Sequence, residues 1–376
     1  MFLPPLSPSG LPPLRHARLP AHCLAGRLIH RPASKLRFVP PSPSPLLLVL
    51  DGNSLLHRAY HAFASDGLLD GSGRPVWALR GLVGFLARAA AYLRPDAVVV
   101  GFDCPQDSLR KQDWPAYKAQ RPDKPSDLAD QILGAPGLLR TAGVCTVVPP
   151  ALEADDVLAS CAEHARRRGW RSVLMTSDRD AFALIDESTS VLRVRNGGFD
   201  EAVLVDRASL VDVCGVEPWQ YRDYAALRGD PSDNLHGVHR FGASRAARLL
   251  ARFGSVDAAW EALDNGKREM VCEVVGEHAT EQLGLPATRE IVERNRRLMR
   301  MHTDVTVPEL ASARLPLSYP VIRRALRERG INLGPSLWAL VDATPEQTRP
   351  LVLKPWKFRR GLTVRHQPIP GQLTLF

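Results

Sequence analysis

Three short apolar runs in this chain each stop at an aspartate. LLLVL at 46–50 is followed by Asp51, AVVVGF at 97–102 by Asp103, and SVLMT at 172–176 by Ser177 and Asp178. Continuous apolar runs of this length suit strands buried on both faces of a parallel sheet. Patterns of helical period lie between them, at about 76–93, 127–142 and 154–168. Alternating strands and helices predict an α/β domain over residues 46–215. After about residue 216 the pattern turns mainly helical, with helices expected at about 218–228, 243–253, 255–263, 287–301, 319–329 and 335–342. A second, helical domain over 216–342 follows from that change.

In open α/β sheets, ligands gather at the carboxyl ends of the strands. Asp51, Asp103 and Asp178 are expected to converge on one crevice there. More acids join them. Glu153 and Asp156 stand three apart in LEADDVL, on one side of a helix's first turn, with Asp155 between them. Asp180 follows Asp178 by two positions, and Asp230 and Asp233 are three apart in GDPSDN. Taken singly, each acid has an ordinary reading as a helix cap or a turn residue. Taken together, six or more carboxylates in one crevice repel strongly. Hard divalent cations with oxygen ligands relieve that repulsion, and Mg²⁺ or Mn²⁺ suits an all-carboxylate set. Two such ions about 4 Å apart are the usual arrangement for cleaving a phosphodiester.

The net charge of +9 invites a nucleic-acid partner. Residues 1–45 carry six of the basic residues and no acid, so residues 46–376 are only +3. DNA binding must therefore rest on local clusters. The 1–45 segment is rich in Pro, Ser and Arg and reads as a disordered tail, with a transit peptide or a misassigned start as alternatives. The six cysteines are scattered and form no CxxC pair. Neither a zinc ribbon nor a disulfide framework is indicated, and a reducing cytoplasm fits. No apolar run reaches the roughly 18 residues of a membrane span.

Several stretches resemble the 5′ nuclease domain of bacterial DNA polymerase I and, more broadly, the flap endonucleases. They are VLDGNSLLHRAYHAF (49–63), VVVGFD (98–103), YKAQRP (117–122), LEADDVLAS (152–160), TSDRDAFAL (176–184) and GDPSDNLHGVHRFGASRAARLL (229–250). The resemblance runs from about Leu46 to Leu263 and more weakly to Ala343. It implies an α/β, parallel-sheet PIN-like nuclease domain followed by a helical domain with a helix-hairpin-helix element, in a stand-alone form without a polymerase. It implies that Asp51, Asp103, Glu153 and Asp155 hold a first metal ion and that Asp178, Asp180 and Asp233 hold a second. Asp156 and Asp230 match acids that support the cluster directly or through water.

Between Asp103 and Pro149 the chain is polar, with bases and acids in near balance, and by charge alone it reads as a solvated loop. By resemblance it is the arch over the active site. Arg110 and Lys118 match catalytic basic residues that contact the scissile phosphate, their cationic side chains offsetting charge that develops during attack. Tyr117 and Trp114 are candidates for stacking on an unpaired base, with packing as the alternative for Trp114. Arg121 is a further DNA contact. Gly237, Val238, Phe241 and Gly242 form a hairpin that, with the following helix start and with Arg245 and Arg248, is expected to hold a DNA phosphate and a K⁺ ion. His236 stands where such chains usually have Pro, and Arg240-Phe241 replaces Gly-Ile or Gly-Val. His57 and His61 have zinc-helix spacing but are read as structural.

Residues 343–371 read as a Pro-rich linker. Gln372, Leu373, Leu375 and Phe376 resemble the peptide that binds the bacterial sliding clamp, and tethering would raise the local concentration of enzyme at clamp-loaded DNA. The expected activity is metal-dependent 5′-3′ exonuclease or 5′ flap endonuclease hydrolysis by a monomer, in DNA repair and RNA primer removal. Two rival readings are a PIN-like ribonuclease and a non-catalytic, clamp-tethered protein that recognises DNA structure.

Overall fold

The computed structural model describes residues 44–106, 108–195 and 198–341. The N-terminal tail and the clamp-like peptide, with Gln372, Leu373, Leu375 and Phe376, lie outside them.

Six strands form one sheet in the order β3-β2-β1-β4-β5-β6. They are β1 (Leu46–Asp51), β2 (Ala97–Gly101), β3 (Cys145–Val147), β4 (Arg171–Thr176), β5 (Thr189–Arg195) and β6 (Gly198–Val205). The first five run parallel, and β6 returns antiparallel to β5. Every residue of β1 is buried, as its unbroken apolar run requires. Leu48 and Leu50 face one core and Leu47 and Val49 the other, because side chains alternate along a strand.

Helices α1 (Gly52–Phe63), α2 (Trp77–Leu93), α3 (Leu109–Asp113), α4 (Ser126–Thr141), α5 (Ala154–Arg167) and α6 (Arg207–Cys214) complete the α/β part. On one side of the sheet α1, α2 and α4 cover Leu48, Leu50, Val98 and Met175. On the other, α5 covers Leu47, Val49, Val99 and Leu174. That second core continues without a break into the helical part. This part contains α7 (Tyr221–Arg228), α8 (Ala243–Phe253), α9 (Val256–Asp264), α10 (Arg268–Val275), α11 (Glu277–Gly284) and α12 (Pro286–Leu298). A two-stranded ribbon, β7 (Gly229–Asp230) with β8 (Leu235–His236), carries the acid loop between α7 and the hairpin.

The chain then returns. α13 (Tyr319–Glu328) and the 3₁₀ turn Gly334–Leu340 pack Ile322, Leu326, Leu337 and Leu340 into the core on the α2 side of the sheet. The helical stretch read from sequence as ending at 342 therefore divides, and its last piece belongs to the α/β part. No helix among the described residues is long and apolar enough to cross a membrane.

Asn295 joins the helical part to the site. Its amide, fully buried on α12, donates to Ala226 O at 3.0 Å and to His236 O at 2.9 Å. Asn295→Ala removes both bonds, leaving His236 O only its Arg294 donor at 3.1 Å, and is expected to cost about 1–3 kcal/mol. A urea melt followed by circular dichroism checks this; an unchanged midpoint would refute the role.

Candidate metal centre

The acids meet at the carboxyl ends of β1, β2 and β4. Asp51 ends β1 and caps α1, accepting the Ser54 N–H at 2.9 Å on one oxygen and the Thr176 hydroxyl at 2.8 Å on the other. Asp103, two residues beyond β2, accepts the Ala154 N–H at 2.9 Å and the Asn53 side-chain amide at 2.8 Å. Thr176 takes the Asp178 N–H at 3.0 Å, and Asp178 takes the Asp180 N–H at 2.9 Å. Asp230 caps its own turn through the Ser232 N–H at 2.7 Å. The capping reading and the crevice reading both hold. A carboxylate has about four lone-pair sites, and one or two caps leave the rest free.

Asp180, Asp230 and Asp233 each offer an oxygen, all within 4.8 Å of one another. No other such trio of His, Cys or acidic side chains occurs among the described residues, so His57 and His61 form no metal group there. One oxygen of Asp155 is buried with no hydrogen-bond partner. The electrostatics record the crowding. Burial first, then Asp103, pushes Asp51 up to about 7, with Asp178 adding to the effect. Burial and the charges of Asp178 and Asp51 lift Asp155 well above the usual carboxylate range. Burial, Asp178, Asp230 and Asp233 do the same to Asp180. Desolvation and like charge both disfavour ionisation. An all-oxygen donor set, with an unpartnered buried oxygen on Asp155 and three carboxylates offering oxygens within 4.8 Å of one another, fits hard divalent cations.

Two expected members stand apart. Asp156 is fully buried, and both its oxygens are taken. Arg110 grips them at 2.8 and 2.7 Å, and the N–H groups of Glu153 and His302 donate to them as well. Asp156 is thus a scaffold acid, reciprocally capping α5 with Glu153, and not a metal ligand. Arg110 is corrected with it. Its remaining donors go to Leu298 O, Arg300 O and Glu153. With every N–H engaged and the side chain buried, it ties α3 to α5 and α12 and has nothing left for a phosphate.

Lys118 does face the acids. Its ammonium lies 3.0 Å from Glu153, and its backbone N–H donates to Asp233 O at 3.0 Å. Burial works against its charge, but Asp233, the Tyr117 hydroxyl and Glu153 hold its pKa well above the ordinary value. Burial works to raise Glu153, yet Lys118 and Arg110 keep it low. Arg121 pairs with Asp233 at 2.6 Å and donates to Ser232 O at 3.1 Å. Gln120 reaches Pro231 O at 2.7 Å, and Asn234 reaches back to Ala116 O at 2.8 Å. The basic turn is therefore stitched to the loop carrying Asp230 and Asp233. Tyr117 is only 4% exposed, with its hydroxyl 3.2 Å from Glu153 and Lys118 over its ring. It is a packing residue and presents no face to a base. Trp114 also packs, half-buried beneath Arg294.

Two family models cover most of the described chain. The 5′-3′ exonuclease N-terminal resolvase-like domain matches residues 46–214, and the 5′-3′ exonuclease C-terminal SAM fold matches 216–318. The chain belongs to the 5′-3′ exonuclease family. DNA polymerase I of Mycobacterium tuberculosis is 35% identical over 220 residues, covering 58% of this chain and 24% of that protein. The thermostable DNA polymerase I of Thermus thermophilus is 32% identical over 302 residues, covering 78% of this chain and 34% of that protein. The chain thus spans about a quarter to a third of these relatives. Among solved structures, T5 5′-exonuclease with bound divalent metal ions (zinc) is 18% identical, with a TM-score of 0.51 over 79% of this chain and 94% of that one. A T5 flap endonuclease complex with DNA and metal ions is 22% identical, with a TM-score of 0.51 over 68% of this chain and 88% of that one. At these identities the likeness is one of fold.

The exonuclease hairpin needs a second set of corrections. Val238 and Phe241 are buried, and their N–H groups donate to Leu227 O at 2.8 Å and to Val238 O at 3.0 Å. They anchor the hairpin and offer nothing to DNA. Arg245 is not excluded in this way: it donates Nε to Val275 O at 3.1 Å and Nη1 to Arg240 O at 2.9 Å, and its side chain is only partly buried. Gly237 lies so close to the Arg228 carbonyl that any Cβ would collide with it, which is why no larger residue fits. What remains for a phosphate is the exposed start of α8 at Gly242, Ala243 and Ser244, with exposed Arg240 and Arg248 and the partly exposed Arg245. Arg240 has a φ of 71°, a left-handed conformation that costs a non-glycine residue roughly 1–2 kcal/mol.

The helpers that orient the acids, Asn53, Ser54 and Thr176, escaped the sequence reading. Their only signal is position, beside or opposite a strand-ending aspartate.

Asp51 holds its proton more tightly in the fold than in the unfolded chain, so its contribution to stability is lost as pH rises from the ordinary 3.8 through about 7. His57, pushed down to about 4 by burial and by Lys124 and Arg121, acts in the opposite sense, but only below its ordinary 6.5. Between pH 6.5 and 8 the metal-free protein is therefore expected to lose thermal stability. Asp51→Asn should flatten that slope, and Mg²⁺ should raise Tm more at pH 8. A melting series that is flat in both proteins would contradict the account.

Proposed function

We propose that the chain hydrolyses DNA phosphodiester bonds at 5′ ends and 5′ flaps, using two divalent ions. The observation that carries this reading is the acid crevice, with Asp178 acting electrostatically on both Asp51 and Asp155 on one side and Asp180 on the other. In it, Asp51, Asp103, Glu153 and Asp155 serve the first ion, and Asp180, Asp230 and Asp233 the second, with Asp178 between them. Mg²⁺ or Mn²⁺ matches the all-carboxylate donors. When bound, such ions lower the pKa of a water and neutralise charge on the leaving oxygen.

The chain's own groups do the rest. Lys118 holds a cation at the crevice and stabilises the negative charge that grows on the phosphoryl oxygens during attack. Thr176, Ser54 and Asn53 fix the carboxylates that face the nucleophile. Water adds to phosphorus, the bond to the leaving oxygen breaks, and no covalent link to the protein forms. The open N–H groups at the start of α8 suit a duplex phosphate, a contact that sets register without reading sequence. A K⁺ ion at the hairpin would draw on backbone carbonyls there. The processes implied are repair and primer removal in the cytoplasm, carried out by a monomer.

A labelled 5′ flap duplex incubated with Mg²⁺ should be cut, and EDTA should stop the reaction. Lys118→Ala should lower kcat by about 10²–10³-fold with the fold retained. An intact flap under Mg²⁺ and Mn²⁺ would end the reading. We also propose that residues 372–376 bind a bacterial sliding clamp through Gln372, Leu373, Leu375 and Phe376. Deleting them should abolish capture of purified clamp while cleavage of free flaps continues; equal capture would remove the partner.

A further inference from the structure

Four arginines at the acid end of the sheet have no ion-pair partner among the described residues: Arg179, Arg193, Arg195 and Arg228. Their placement follows from the fold. Arg179 sits between Asp178 and Asp180 on the turn after β4. Arg193 stands opposite Thr176 in the parallel register of β4 and β5. Arg228 ends α7, its guanidinium 4.9 Å above the Tyr224 ring. The charges of Arg179 and Arg195 act on Arg193, and those of Arg179, Arg228 and Arg193 converge on the Cys214 thiol.

Arg193 is the unusual member. It is 7% exposed, yet only its Nε is satisfied, by Ser177 O at 3.2 Å. Its terminal nitrogens meet no acceptor among the described residues and are not sealed from solvent. A guanidinium this deep is ordinarily paired, because an unpaired buried charge is costly. Burial and the neighbouring Arg179 push its pKa down to about 10, the direction expected for cations crowded without a counter-ion. Asp178 is the carboxylate whose field reaches it, which sets the cluster at the border of the acid crevice. It lies apart from the Lys118 turn, which is held on Glu153 and Asp233.

We propose that Arg179, Arg193 and Arg228 form a second phosphate site, which holds a backbone phosphate of the DNA strand next to the one positioned in the crevice. This rests on the nuclease reading and adds a contact to it. Two parallel N–H donors of one guanidinium match the oxygens of a phosphate, and fixing the neighbouring phosphate would hold the strand in register for cleavage. The bland alternative is that Arg193 merely ties β5 to the Ser177 carbonyl.

The two readings differ in what a neutral side chain does. The test is fluorescence anisotropy of a labelled 5′ flap duplex over a KCl series, with Ca²⁺ replacing Mg²⁺, together with a thermal melt. Arg193→Met should weaken binding about tenfold and reduce the slope of log Kd against log [KCl] by about one, the loss of one phosphate contact. Its melting temperature should hold or rise, because a repelled buried charge has gone. Arg179→Gln and Arg228→Gln, at half-exposed positions, should lower the slope in the same way and carry the test if Arg193→Met fails to fold. Variants that bind with wild-type affinity and salt slope would overturn this second site alone, whatever happens to Tm. Wild-type protein that binds no flap would overturn the nuclease reading as well.

Discussion

Like-charged carboxylates pressed into one crevice are the constraint around which the rest of the molecule is arranged. Parallel strands β1, β2 and β4 deliver acids to one end of the sheet, where burial and mutual repulsion resist their ionisation. Backbone N–H groups, the Thr176 hydroxyl, the Asn53 amide and the cations of Lys118 and Arg121 surround them and hold several of their oxygens in place. None of these donors removes the repulsion, and the crevice keeps an unpartnered oxygen on Asp155. Divalent cations complete an arrangement of this kind, and the 5′-3′ exonuclease family uses them for its chemistry.

The parts of the fold visible in the sequence are those whose physics is local. β1, β2 and β4 are buried on both faces, so each is an unbroken apolar word ending at its acid. α8 shows as a strong apolar stripe and ends at Gly254, and its predicted span agrees with the structure. β5 and β6 were invisible. β5 carries Arg193 and Arg195, and β6 has the polar pair Asp200 and Glu201, so neither reads as a buried run. α10 and α11, eight residues each and parted by Gly276, are too short to show a period. β3, only three residues long, depends on pairing with β2 rather than on its own composition.

At the site, residue types were legible and partners were not. Asp156 and Asp155 are adjacent and chemically equal, yet one is saturated by Arg110 and the other retains a bare oxygen. What separates them is α12 and the segment after it, whose Leu298 and Arg300 carbonyls and His302 N–H arrive from more than a hundred residues away. Tyr117, Val238 and Phe241 likewise look like ligand contacts in the linear motif. In space their apolar surface closes the core beneath the turn and the hairpin. Family resemblance located the right loops but could not say which side chains point outward.

The seam between the basic turn and the acid loop has a thermodynamic corollary. Arg121 lies against Asp233, so the resting protein supplies its own counter-ion to a carboxylate proposed above as a ligand of the second ion. In that proposal the two cations compete for one carboxylate. By linkage, anything that recruits Arg121 elsewhere strengthens cation capture at Asp233, and cation capture loosens Arg121 by the same factor. A nucleic-acid phosphate is the natural recruiter. Cargo and cofactor would then favour each other's arrival, and the centre would be fully assembled only with a strand in place.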